Sequence, residues 1–98
     1  MKSSAIIVDR ERHLVCFGAK VCRLARGPMA LIVYLSAHPG FVRSRQQILD
    51  QICPDKLEMY DTSVDTHVRR ARRSLKRDLG VSPIGTQSGV GYYWKETL

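Results

Sequence analysis

Residues 63–78 separate their side chains onto two sides of a helical period. Val64, Val68, Ala71 and Leu75 recur at i, i+4, i+7 and i+11, a narrow apolar arc at ~100° per residue. Thr66, Arg69, Arg70, Arg73 and Arg77 turn to the opposite side, with Lys76 beside them. Such a segment must bury one face and expose the other, so the rest of the chain has to supply a core for it to lean on. Six basic residues stand against two acidic ones in this stretch, which carries more than half of the chain's net charge of +7. A solvated surface helix usually mixes its signs. A cationic face with almost no compensating acid repels itself unless an anionic partner meets it, and the expected partner is nucleic acid.

The remaining elements follow from local signals. Ile6-Ile7-Val8, Leu14-Val15-Cys16-Phe17 and Val21-Cys22-Arg23-Leu24 read as three short strands, the last two joined through Gly18-Ala19 into a small antiparallel sheet. Gly27-Pro28 opens a first helix with Met29, Ile32 and Leu35 at helical spacing, and His38-Pro39-Gly40 stops it. Ser44-Arg45-Gln46-Gln47 has the form of a capping box for a second helix with Ile48, Leu49 and Ile52 on its apolar side, ended by Cys53-Pro54. Asp61 and Thr62 are N-cap candidates for the third helix, over about 62–78. Residues 84–94 then read strand, glycine-rich turn, strand, with Tyr92 and Trp94 as packing residues. A hairpin directly after a basic helix is the layout of a winged helix-turn-helix: α+β, with a small N-terminal sheet, three helices and a C-terminal wing.

Several classes of function fall away. With 98 residues, 44% of them hydrophobic, the chain fits one domain over 1–98. Three cysteines without a C-x-x-C pair make neither a disulfide framework nor a zinc site, and three scattered histidines add no metal spacing. No apolar stretch approaches the ~18 residues of a membrane span, and the N-terminus lacks a signal-peptide core, so a cytoplasmic protein without cofactor is expected. Asp65 and His67 stand two apart on a helix and cannot form a relay. The glycines near 89–91 precede a strand, which is not a nucleotide fingerprint. An enzyme is not expected.

The residues His38-Pro39-Gly40, Ser44-Arg45-Gln46-Gln47-Ile48-Leu49, Val64-Asp65-Thr66-His67-Val68-Arg69-Arg70-Ala71-Arg72-Arg73-Ser74-Leu75 and Gly89-Val90-Gly91-Tyr92 occur in that order. In this combination the chain resembles the OmpR/PhoB-type effector domain of bacterial response regulators, from about residue 5 to residue 94. The resemblance implies double-stranded DNA binding for transcription regulation in two-component systems, with the third helix in the major groove. It implies base reading at Arg70, for which a guanidinium paired with guanine is suited. It implies contacts near the helix start at Ser63 and Asp65, backbone contacts at His67, Arg69 and Arg72, and phosphate hydrogen bonds at Thr86 and Tyr92. His67 is equally readable as a structural histidine. Thr66, Arg73 and Arg77 enter by their place on the cationic face.

The chain departs from the family pattern at three places. Ser88 stands where many relatives carry a wing arginine, Cys53 where many have tryptophan, and Ala25-Arg26-Gly27-Pro28-Met29 replaces the usual start of the first helix. A phosphorylatable receiver, usual before this domain, has no room in the chain. It reads either as an excised effector domain or as a free-standing regulator, monomeric alone and pairing on tandem half-sites. A second function class is a protein-interaction module, contacting RNA polymerase or another regulator through residues 54–61, where Leu57, Met59 and Tyr60 offer an apolar contact.

Overall fold

A computed structural model describes residues 6–52 and 64–96. Three strands, β1 (Ile6–Asp9), β2 (Leu14–Phe17) and β3 (Lys20–Arg23), form an antiparallel sheet in the order β1-β2-β3. Alternation decides which face packs. Ile6 and Val8 of β1 lean on the core while Ile7 points to solvent, and on the neighbouring strands Val15 and its register partner Cys22 are fully buried.

Helix α1 (Arg26–Ser36) follows, with Pro28 inside its first turn and Met29, Leu31, Ile32 and Leu35 buried. Helix α2 (Arg45–Ile52) starts from the expected reciprocal cap. The Ser44 hydroxyl accepts from the Gln47 N–H at 3.1 Å, and the Gln47 side-chain oxygen accepts from the Ser44 N–H at 2.8 Å. Between α1 and α2 lies a two-residue strand, β4 (Arg43–Ser44), that the sequence reading did not anticipate.

Helix α3 (Val64–Leu79) buries the apolar arc as expected: Val64, Val68, Ala71 and Leu75 are all inside, joined by Leu79 and by His67. It packs against α1 and β3. The N-cap candidates Asp61 and Thr62, the helix stop at Cys53-Pro54 and the whole 54–61 segment lie outside the described residues.

The chain closes with β5 (Ile84–Gln87) and β6 (Gly91–Trp94), the expected hairpin, with Gly89 at φ +77° in its turn. β6 sits between β4 and β5, so the second sheet has the order β4-β6-β5, with Arg43 opposite Tyr92 and Ser44 opposite Gly91. Tyr92 and Trp94 pack into the core. The architecture is the winged helix-turn-helix that the sequence implied.

Candidate nucleic-acid interface

The exposed side of α3 carries Arg69, Arg70, Arg73 and Lys76. Among the described residues none of the four has an ion-pair partner within 4.0 Å. Arg77 continues the same stripe, but its guanidinium forms a two-pronged pair with the adjacent Asp78, at 2.8 and 2.9 Å. Its charge is partly cancelled where it stands.

Other cations are committed to holding the site together. Arg72, which a helical wheel places at the margin of the cationic face, reaches across to the wing. It donates to the Ile84 carbonyl at 3.3 Å from Nε and 3.1 Å from a terminal nitrogen, and to the Thr86 hydroxyl at 2.5 Å. Its guanidinium also lies 5.6 Å from the centroid of the Tyr92 ring. Because the Thr86 oxygen accepts from Arg72, its own proton stays available to an outside acceptor. Thr86 and Ser88 are both exposed on the wing.

Asp65 is the hub of a second cluster. Its carboxylate accepts from the Arg45 guanidinium at 2.9 Å and from the Tyr92 hydroxyl at 2.5 Å, joining the start of α2, the start of α3 and β6. Hydrogen bonding from Tyr92 first, and from Arg45 second, holds this carboxyl below the usual aspartate range. Burial and the bond to Asp65 push the Tyr92 phenol upward. The Tyr92 proton therefore points inward, at Asp65, in the unliganded protein. The Arg45 guanidinium, 5.4 Å from the Tyr92 ring centroid, is half-exposed on the same side. Sequence reasoning noted position 45 only as part of a capping box; its bond to a residue 20 positions away has no local signal.

His67 stands apart from the cationic face. It is 8% exposed, against Gly27 of α1, and its Nδ1 is buried without a hydrogen-bond partner. Burial first, and the neighbouring Arg70 second, lower its pKa, so the ring is neutral at neutral pH. Thr66 is half-buried on α3, and Ser63 lies outside the described residues. The structure thus brings Asp65, Arg72, Thr86 and Tyr92 into linked contacts, leaves Arg69, Arg70 and Arg73 exposed beside them, and sets His67 inside.

Among the described residues no helix is long and apolar enough to cross a membrane, and no group of His, Cys, Asp and Glu is placed to hold a metal ion. The family profile described as "Transcriptional regulatory protein, C terminal" matches residues 19–94. The chain is 33% identical over 93 residues to the transcriptional regulatory protein BaeR of Escherichia coli O6:H1, covering 94% of this chain and 39% of BaeR. To the transcriptional regulatory protein CreB of Escherichia coli K12 it is 40% identical over 70 residues, covering 70% of this chain and 31% of CreB. The chain therefore spans well under half the length of these relatives. In fold it is similar to the Klebsiella pneumoniae RstA DNA-binding domain, solved in complex with the RstA box, at TM-score 0.76 and 21% identity over 97% of this chain and 95% of that one.

A winged helix with a basic third helix and a braced hairpin is thus matched by the profile of a transcriptional regulatory domain. The chain belongs to the OmpR/PhoB family of winged-helix effector domains of response regulators.

Proposed function

We propose that this chain binds specific double-stranded DNA sites to regulate transcription in the bacterial cytoplasm, with α3 in the major groove and the wing along the flanking backbone. The observation that carries the reading is the row Arg69, Arg70 and Arg73, exposed and in no ion pair with an acid among the described residues, on one side of a helix that Arg72 ties to the wing. A helix of this width fits a major groove ~12 Å across. The same mode of action is suggested by the RstA domain, which was solved on its box.

Within this reading Arg70 reads a base edge, and Arg69, Arg73 and Thr86 meet phosphates. Arg72, Asp65 and Tyr92 keep helix and wing in register, and His67 supports the helix from beneath. Ser63 and Thr66, near the start of α3, approach the groove edge, and Arg77 adds a weaker charge because Asp78 already answers it. Ser88 is short and neutral, so the wing adds little preference for narrow A·T-rich grooves, which attract cations. A single copy occupies one half-site, and two adjacent half-sites recruit a pair.

Selection from a random duplex library with the purified chain tests this. An enriched motif, with affinity that falls steeply as salt rises, is expected. Recovery of unenriched sequences, or binding indifferent to salt, would sink it.

A further inference from the structure

Beyond Arg73 the cationic side of α3 runs into an open cleft between the C-terminal half of the helix and the second sheet. Arg72, Arg73, Lys76, Ser82, Thr86 and Lys95 contribute to its walls, and no acidic residue among the described ones lines it. Lys95 is fixed opposite the helix by its backbone N–H, which donates to the Pro83 carbonyl at 2.7 Å. Lys76 and Lys95 are exposed and have no ion-pair partner among the described residues. The Ser82 hydroxyl is shielded from water yet has no hydrogen-bond partner among the described residues. A buried hydroxyl left in that state is uncommon, and it becomes available to an acceptor in the cleft once the side chains flanking it shift. Two lysines and an arginine border the cleft with this hydroxyl, and no acid among the described residues lines it to compete for an anion.

The cleft's position selects the anion. Arg69 and Lys76 are seven positions apart, about 10 Å along a helix rising ~1.5 Å per residue. That is close to the ~12 Å width of a major groove, so a helix whose first half reads bases carries its cleft to the groove's edge, where the phosphates lie. The cleft is open along its length, which admits a polymer that enters and leaves, and would leave a small free anion half in water. Flexible ammonium groups suit a point-charge contact of this kind.

We propose that Lys76 and Lys95, with Arg73 and the Ser82 hydroxyl, hold a backbone phosphodiester of the bound duplex in this cleft, a contact separate from those made by Arg69 and Thr86. The inference rests on the DNA-binding reading above and adds a specific phosphate to it.

The test uses the whole chain and a duplex it selects, titrated by fluorescence anisotropy from low to high salt. Lys76→Ala and Lys95→Ala should each flatten the slope of log K against log salt by about one, and the pair by about two. The preferred base sequence should stay the same. Ser82→Ala should weaken binding with the slope unchanged. Replacing single phosphates by neutral methylphosphonates should reveal one position that weakens the wild type and has little effect on the Lys76→Ala, Lys95→Ala double variant. Circular dichroism melts of the variants separate a lost contact from a lost fold. An unaltered slope in the double variant, while the wild type still binds its duplex with strong salt dependence, overturns the cleft and leaves the DNA reading standing. If inorganic phosphate alone shifts the Ser82 and Lys95 resonances while the double variant binds duplex normally, the site serves a free anion and the proposal is wrong. If the wild type binds no duplex at all, both readings fall together.

Discussion

Gly27 of α1 lies so close to the His67 imidazole of α3 that a methyl group at position 27 would occupy the space of the ring. Helix α1 opens with glycine in its first turn because histidine fills the space a side chain would need. The glycine in the first turn of α1 and the burial of His67 are thus one feature, shared between two helices.

Gly27→Ala should therefore destabilise the fold by about 1–3 kcal/mol, the range for overpacking, although alanine is the better helix former. In a domain of this size each kcal/mol corresponds to roughly 4–8 °C in Tm. His67→Ala in the same chain should recover part of the loss. Simple additivity of the two substitutions in thermal melts would show that the contact is not what sets the cost.

The buried imidazole also sets a pH dependence. Burial and Arg70 lower its folded pKa below the ordinary 6.5, so between the two values the unfolded chain holds more protons than the folded one. Stability should be full above the unfolded value, fall as pH drops through about 6.5, and level off below the folded value. Melts from pH 7.5 to 5 should show this loss in the wild type and a flatter profile in His67→Phe. Equal slopes in both would assign the dependence elsewhere.

Tyr92→Phe removes the largest influence holding the Asp65 carboxyl below its usual range. The Asp65 pKa, followed by carboxyl carbon NMR, should rise toward the ordinary aspartate value and remain slightly low because Arg45 still faces it. An unmoved titration would mean that Arg45 alone governs the carboxylate.

Arg70 and Arg72 stand two positions apart on α3 and have different expected phenotypes. Arg70→Ala should relax discrimination at one base pair by about 1–3 kcal/mol, with nonspecific binding and Tm little changed. Arg72→Ala should speed hydrogen exchange in β5 and β6 and lower Tm, because Ile84 and Thr86 lose their donor. Equal loss on all DNA sequences for Arg70→Ala would make it a phosphate contact.

Cys22 should be the unreactive thiol. It is fully buried, and burial, with help from Asp78, pushes its pKa up to about 11, leaving little thiolate at neutral pH. In a Cys53→Ser background a maleimide should label the partly exposed Cys16 far faster than Cys22, as read by peptide mass spectrometry. Comparable rates would contradict the packing of Val15 on Cys22.

Helix α3 was legible because Val64, Val68, Ala71 and Leu75 state its period in a single line of residues. His67 was harder to place because its polarity masked its position. It lies only about 40° from Ala71 on a 100° wheel, so geometry alone puts it at the edge of the buried arc. Arg72 lies at the wheel's margin, and no wheel contains the wing that it reaches. Arg45 and Asp65 meet across 20 residues, and β4 is two residues long with its partner, β6, almost fifty residues on. Signals of that kind exist only once the chain has closed on itself. Lys76 was visible as a charge, but its cleft also needs Ser82 and Lys95, which come from beyond the helix.

Ser44 belongs to β4 and to the cap of α2 at once, so its backbone pairs with the hairpin while its hydroxyl begins the helix. The hairpin cannot slide along β4 by one residue without undoing the first turn of α2. The place of α2 beside the hairpin is consequently set by folding, and the Arg45–Asp65 and Arg72–Ile84 contacts set that of α3 with it, so the entropy of fixing their spacing belongs to folding instead of to any later association. On the proposed DNA-binding reading, a rigid template of this kind transfers adaptation to its counterpart: a sequence whose grooves already match that spacing should bind as it is, and one whose grooves do not should have to twist or bend to comply.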